Sequence, residues 1–122
     1  MIGYVTLGTN DLPRASAFYD ALLAEMGARR IMDFGRSIAW GVAMDKPSLA
    51  VGQPFDGQPA TFGNGVMVAL AGGSKDVVDR VYHKAIALGA KDEGPAGPRG
   101  EQFYAGYFRD LDGNKLSVFC MI

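Results

Sequence analysis

Cysteine, histidine and tryptophan each occur once in the 122 residues. A lone thiol, Cys120, cannot form an internal disulfide, so the core alone must hold the fold, and a reducing, cytoplasmic setting is expected. One histidine leaves no imidazole cluster for a metal. Charge is also scarce in net terms: at −1 there is no field to draw nucleic acid or an anionic membrane. No apolar run approaches the roughly 20 residues of a membrane span, and the opening Met1-Ile2-Gly3-Tyr4-Val5-Thr6 has no basic stretch before an apolar one. What is present, 48% hydrophobic and 20% charged residues, describes one globular domain. At this length it buries about two-thirds of its unfolded surface.

The end of the chain carries the plainest local signal. Tyr104-Ala105-Gly106-Tyr107-Phe108-Arg109 and Lys115-Leu116-Ser117-Val118-Phe119 flank Asp110-Leu111-Asp112-Gly113-Asn114, two strands around a turn in which Gly113 takes the positive φ. Further back, Ile2 to Thr9 reads as a strand. Asn10-Asp11 caps a helix with Pro13 in its first turn, Phe18, Leu22 and Met26 on one face, and Gly27 as its stop. Strands are expected at Ala28 to Asp33, Ser37 to Met44 and Ser48 to Gly52. Gln53 to Gly65, with two prolines and three glycines, reads as a surface linker. Val66 to Leu70 is the next strand, and Ser74 caps a second helix whose apolar face is Val78, Val81, Tyr82, Ala85 and Leu88, ended by Gly89. Lys91 to Glu93 is a short strand, and Gly94 to Gly100 a glycine and proline loop.

The order β-α-β-β-β thus occurs twice, in residues 1–52 and 65–122, joined by a linker at 53–64. This is an α+β domain of two βαβββ modules. Two copies are too few and too long for a solenoid. Each sheet has one face under its own helix and a second that must pack on something or hold a ligand. Strand alternation assigns Val5, Leu7, Val66, Val68 and Leu70 to the helix side, and Tyr4, Thr6, Gly8, Met67 and Ala69 to the other.

Three stretches together resemble the vicinal oxygen chelate superfamily, which includes glyoxalase I, extradiol dioxygenases, and fosfomycin and bleomycin resistance proteins. They are Asp11-Leu12-Pro13-Arg14-Ala15-Ser16-Ala17-Phe18-Tyr19, Gly63-Asn64-Gly65-Val66-Met67-Val68-Ala69, and Arg109-Asp110-Leu111-Asp112-Gly113-Asn114-Lys115-Leu116. The resemblance covers nearly the whole chain and implies a glyoxalase-like domain whose sheets curl around a cleft, often completed by dimerisation; a homodimer is therefore expected. It also implies where metal-dependent members keep their ligands. Those positions hold Tyr4, Ala50, Met67 and Ser117, a phenol, a methyl, a thioether and a hydroxyl, which do not make a set for a divalent metal. No metal and no cofactor are expected.

His83 does not replace them, because it lies about 160° from the centre of the second helix's apolar face and should meet solvent. His83 and Cys120 belong to different elements, no serine sits in an elbow motif, and Gly63-Asn64-Gly65 lacks phosphate-loop spacing. The candidate cleft residues are Tyr4, Thr6, Trp40, Met67, Arg99, Tyr104, Tyr107, Ser117 and Phe119. Aromatic and soft side chains with a few hydroxyls suit an apolar or aromatic small organic ligand, with Arg99 as an anion anchor. Which of Tyr104 and Tyr107 points inward depends on hairpin register. The expectation is a metal-independent small-molecule binder. The alternatives are a lyase, isomerase or oxygenase using Glu101 or a tyrosine as base, and an interaction module with its cleft packed shut.

Overall fold

The computed structural model describes all 122 residues. The first module comprises β1 (Tyr4–Gly8), α1 (Leu12–Ala24), β2 (Arg29–Asp33), β3 (Ser37–Gly41) and β4 (Ser48–Gly52). The second comprises β5 (Val68–Ala71), α2 (Lys75–Ala87), β6 (Lys91–Pro98), β7 (Phe103–Arg109) and β8 (Lys115–Met121). The two sheets have the same topology, β1-β4-β3-β2 and β5-β8-β7-β6, with one parallel pair each, β1 with β4 and β5 with β8. The chain folds as an α+β domain of two repeated modules. No helix is long and apolar enough to cross a membrane.

The helices end where the local chemistry directs. The Asp11 carboxylate accepts from the Arg14 amide at 3.0 Å and the Ser74 hydroxyl from the Val77 amide at 3.3 Å, each satisfying a donor that a first turn leaves free. Gly27 and Gly89 leave the helices at φ of +75° and +102°, a conformation that costs other residues a steric clash. Apolar residues of both helices meet in one core, in which Phe18, Tyr19 and Leu22 lie with Val78, Val81 and Tyr82. Through that core α1 packs on α2. Each sheet gives its helix-side residues to this shared interior, and its other face is left open on the outside.

The seam between the modules also contains buried carboxylate. Asp110 accepts four hydrogen bonds: from the Asp112 and Asn114 amides at 2.9 Å each, from the Asn114 side chain at 3.0 Å and from the Tyr19 hydroxyl at 2.6 Å. Asn114 also donates to the Gly8 carbonyl at 2.9 Å, and Asp112 accepts from the Thr9 hydroxyl at 2.6 Å. The turn at the end of the chain therefore ties down the junction between β1 and α1. Burial, reinforced by the Asp110 charge, holds the Tyr19 hydroxyl well above the usual tyrosine range.

Some sequence expectations need correction. The segment Gly94 to Gly100, read as a loop, is mostly strand, since β6 runs to Pro98 with register shifts between Asp92 and Gly94 and between Gly94 and Gly97. β6 is an edge strand, so its prolines remove no obligatory ladder donor. Val66, expected inside, is exposed because the strand begins only at Val68. β3 stops at Gly41 rather than Met44. The connection read as a surface linker is strapped to both modules. Asn10 bonds the Ala60 backbone in both directions, and Phe62 lies against Gly113 with the Arg109 guanidinium 5.4 Å from its ring centre.

Candidate functional site

On the open face of the first sheet, register places Thr6 beside Ala50 and Ala50 beside Ala39. These small side chains form a floor. Tyr4, Met32 and Phe34 rise around it, enclosing a concavity of about 320 Å³. Toward the C-terminal end of β1 the floor continues into a second concavity of about 470 Å³, which shares Thr6 and Ser37 and is bounded by Arg36, Pro54 and Phe55. Here β1 and β4 end on paired glycines, Gly8 and Gly52. A Cβ on Gly52 would come within 2.6 Å of the Ser37 Cβ, so only glycine permits this approach.

The open face of the second sheet is filled by its own side chains. Phe103 stacks on Phe119 at 5.3 Å, and Ser117 is only 1% exposed. Tyr107 has the Arg99 guanidinium 5.4 Å and the Lys115 ammonium 5.8 Å from its ring centre. The Arg99 guanidinium is fixed by three carbonyls at the end of β6, Pro95, Gly97 and Pro98, at 2.7 to 3.2 Å. It braces that end of the strand over the tyrosine. The nearby carboxylate of Glu93 accepts from Arg109 at 2.8 Å, and this hydrogen bond holds it below the usual carboxylate range.

Of the nine residues expected in the cleft, Tyr4, Thr6, Tyr107, Ser117 and Phe119 lie on the open faces, and Arg99 sits against Tyr107. Met67 stands one residue before β5, 42% exposed, in an apolar groove of about 490 Å³ with Ile2, Val5 and Met26. Trp40 does not belong to the cleft. It alternates with Ala39, so it points to the helix side, where its indole donates to Asp20 at 2.8 Å and its ring leans on Tyr19. Tyr104 pairs with the core residue Cys120 and donates to Asp79 of α2 at 2.7 Å, which raises its pKa above the ordinary value. The register thus puts Tyr107, not Tyr104, on the open face. Glu101 is exposed between β6 and β7, and His83 is exposed on α2.

Sequence reasoning missed Phe103, Lys115, Phe34 and Arg36. Alternation back from Tyr107 and Ser117 would have found the first two. The other two sit in or beside the turn between β2 and β3, where no periodicity applies.

The four positions at which the family resemblance puts metal ligands are now located. Tyr4 and Ala50 lie on the first open face, Ser117 on the second, and Met67 in step with the open-face residue Ala69. These donors do not fit a divalent metal, and no three His, Cys, Asp or Glu side chains converge on a metal-sized site anywhere in the molecule.

The fold and these open faces define a glyoxalase-like domain. A glyoxalase/bleomycin resistance protein from Albidiferax ferrireducens is 33% identical, with a TM-score of 0.90 over 98% of each chain. A genomically encoded fosfomycin resistance protein, FosX, from Listeria monocytogenes is 20% identical, with a TM-score of 0.72 over 98% of this chain and 92% of that one. Lactoylglutathione lyase from Agrobacterium tumefaciens is likewise 20% identical over the same shares, with a TM-score of 0.69. The sequence matches no family model and no curated protein. The chain belongs to the glyoxalase/bleomycin resistance family of the vicinal oxygen chelate superfamily.

Proposed function

We propose that this chain is a metal-independent small-molecule-binding protein whose cleft is completed by a second copy. The observation that carries the reading is the composition of the open faces. Small hydroxyl and methyl side chains form their floors, aromatic rings form their walls, and the positions where metal-dependent relatives keep ligands hold Tyr4, Ala50, Met67 and Ser117. Such a lining excludes water from an apolar ligand and orients it by a few hydrogen bonds, but offers no ionised donor at the floor.

The shared core supports a cleft built from two copies. Because each helix packs on its own sheet and on the other helix, the two open faces point away from the shared core and each is left uncovered within one chain. Both β1 and β5 are edge strands, with Tyr4 70%, Ile2 58% and Val66 60% exposed beside the apolar groove that runs between them. Unpaired edges with exposed apolar side chains invite a partner. A second copy related by two-fold symmetry would cover both edges at once and set the first open face of each copy opposite the second open face of the other.

Native mass spectrometry of protein from a mildly lysed host tests the reading. A dimer that retains an organic adduct and no stoichiometric metal is expected. One metal per protomer would overturn metal independence, and a monomer at micromolar concentration would overturn the shared cleft.

A further inference from the structure

We infer that the ligand is an amphipathic anion, whose acidic group is held by Arg36 and whose apolar body lies on the alanine floor of the first open face. The inference rests on the proposed binding role and specifies the class of molecule bound.

The two concavities of that face differ in chemistry although they share Thr6 and Ser37. The larger part of the first is apolar, with Tyr4, Met32 and Phe34 over Ala39 and Ala50. The second ends at a guanidinium. None of the four ion pairs in the molecule uses Arg36, so its charge is not neutralised within the chain. Nor is it free to swing away, because its Nη2 donates to the Pro54 carbonyl at 2.7 Å and its guanidinium lies 6.0 Å from the Phe55 ring centre. An arginine held by one backbone acceptor keeps its remaining N–H donors for a carboxylate or phosphate.

Neither acidic residue of the flanking segments forms an ion pair with Arg36. Asp33 accepts from the Gly35 amide at 2.8 Å and lines a different groove, beside the N-terminal turn of α1. Asp56 accepts from the Gln58 amide at 3.0 Å. A chain of net charge −1 therefore presents an unpaired cation at the end of an apolar trough. The linker helps shape this end: Pro54 and Phe55 wall it, and Ala60 closes over Gly8, where an added Cβ would come within 3.1 Å. A neutral apolar molecule would leave the guanidinium without a counter-charge, and a cationic one would be repelled by it.

Titration of the isotope-labelled protein with sodium 2-naphthoate and with neutral 2-naphthamide, followed by amide NMR shifts, tests the assignment. Naphthoate should bind tighter than naphthamide and shift Thr6, Ser37 and Gly52. Arg36→Gln should weaken naphthoate by roughly tenfold, the loss of one charge-assisted contact, and leave naphthamide within about twofold. Arg36→Lys should retain most of the preference. Unchanged naphthoate binding in Arg36→Gln, or shifts confined to Tyr107 and Lys115, would overturn the role of Arg36 while leaving a binding cleft in place. Absence of any open-face shift with either compound would overturn the binding role itself.

Discussion

The two sheets share one topology and differ on their open faces. The first is a trough with a methyl floor, and the second is packed by its own Phe103–Phe119 stack and by Tyr107 under two cations. On the helix side they are alike, both contributing aliphatic and aromatic residues to one core. Repetition of the module thus fixes what must be buried and leaves the open faces free to diverge. In the proposed function the first would supply room for a ligand and the second a surface to close over it.

The strongest test of this contrast lies in the seam, which should matter for folding and be silent in binding. Asp110→Ala would leave the Tyr19 hydroxyl, the Asn114 side chain and two amides without their acceptor. Urea denaturation should show a loss of about 3 kcal/mol, because unsatisfied buried polar groups carry the full cost of desolvation. Retention of wild-type stability would mean that the turn is not what joins the modules.

The next effect is read by pH. Tyr19 is held above its ordinary pKa by burial and by Asp110, and Tyr82, buried and bonded to Asp92 at 2.7 Å, is pushed up to about 12. In the unfolded chain both would ionise near pH 10. Their raised folded pKa values contribute stability that is fully present below pH 10 and lost as pH rises toward and beyond 12. Thermal midpoints should hold up to about pH 10 and fall above it. A fall beginning at pH 8 would point to another group.

A smaller change concerns the side assigned to Trp40. Trp40→Phe removes the indole donor to Asp20, whose carboxylate stays paired with Arg30 at 2.8 Å, the bond that chiefly keeps it below the usual carboxylate range. The cost should be about 1 kcal/mol by urea denaturation, with naphthoate affinity unaltered. A specific loss of affinity would return the tryptophan to the cleft.

Trp40 also shows where sequence reasoning stops. The double β-α-β-β-β order, both helix caps and the side of each β1 residue were legible, because caps and alternation are local. For Trp40 and Tyr104 the residue type suggested a ligand surface, but only strand phase decides the side, and phase is set by pairing with distant residues such as Cys120. Arg36 was illegible for another reason. Its significance arises from Gly52, Pro54 and Phe55, which are brought beside it only by the antiparallel pairing of β3 with β4 and the bond from the Gln53 amide to the Arg36 carbonyl that continues it.

The smallest effect on folding should accompany the largest effect on binding. Thr6 is exposed and common to both concavities of the first open face, so a large side chain there fills the trough without entering the core. Thr6→Trp keeps a residue suited to a strand and should change urea stability by no more than about 0.5 kcal/mol. Naphthoate binding should nevertheless vanish, since the ring would occupy the space the apolar body needs. Binding that survives at full affinity would place the ligand on the second face, against Tyr107 and Lys115, and reverse the division of labour between the two sheets.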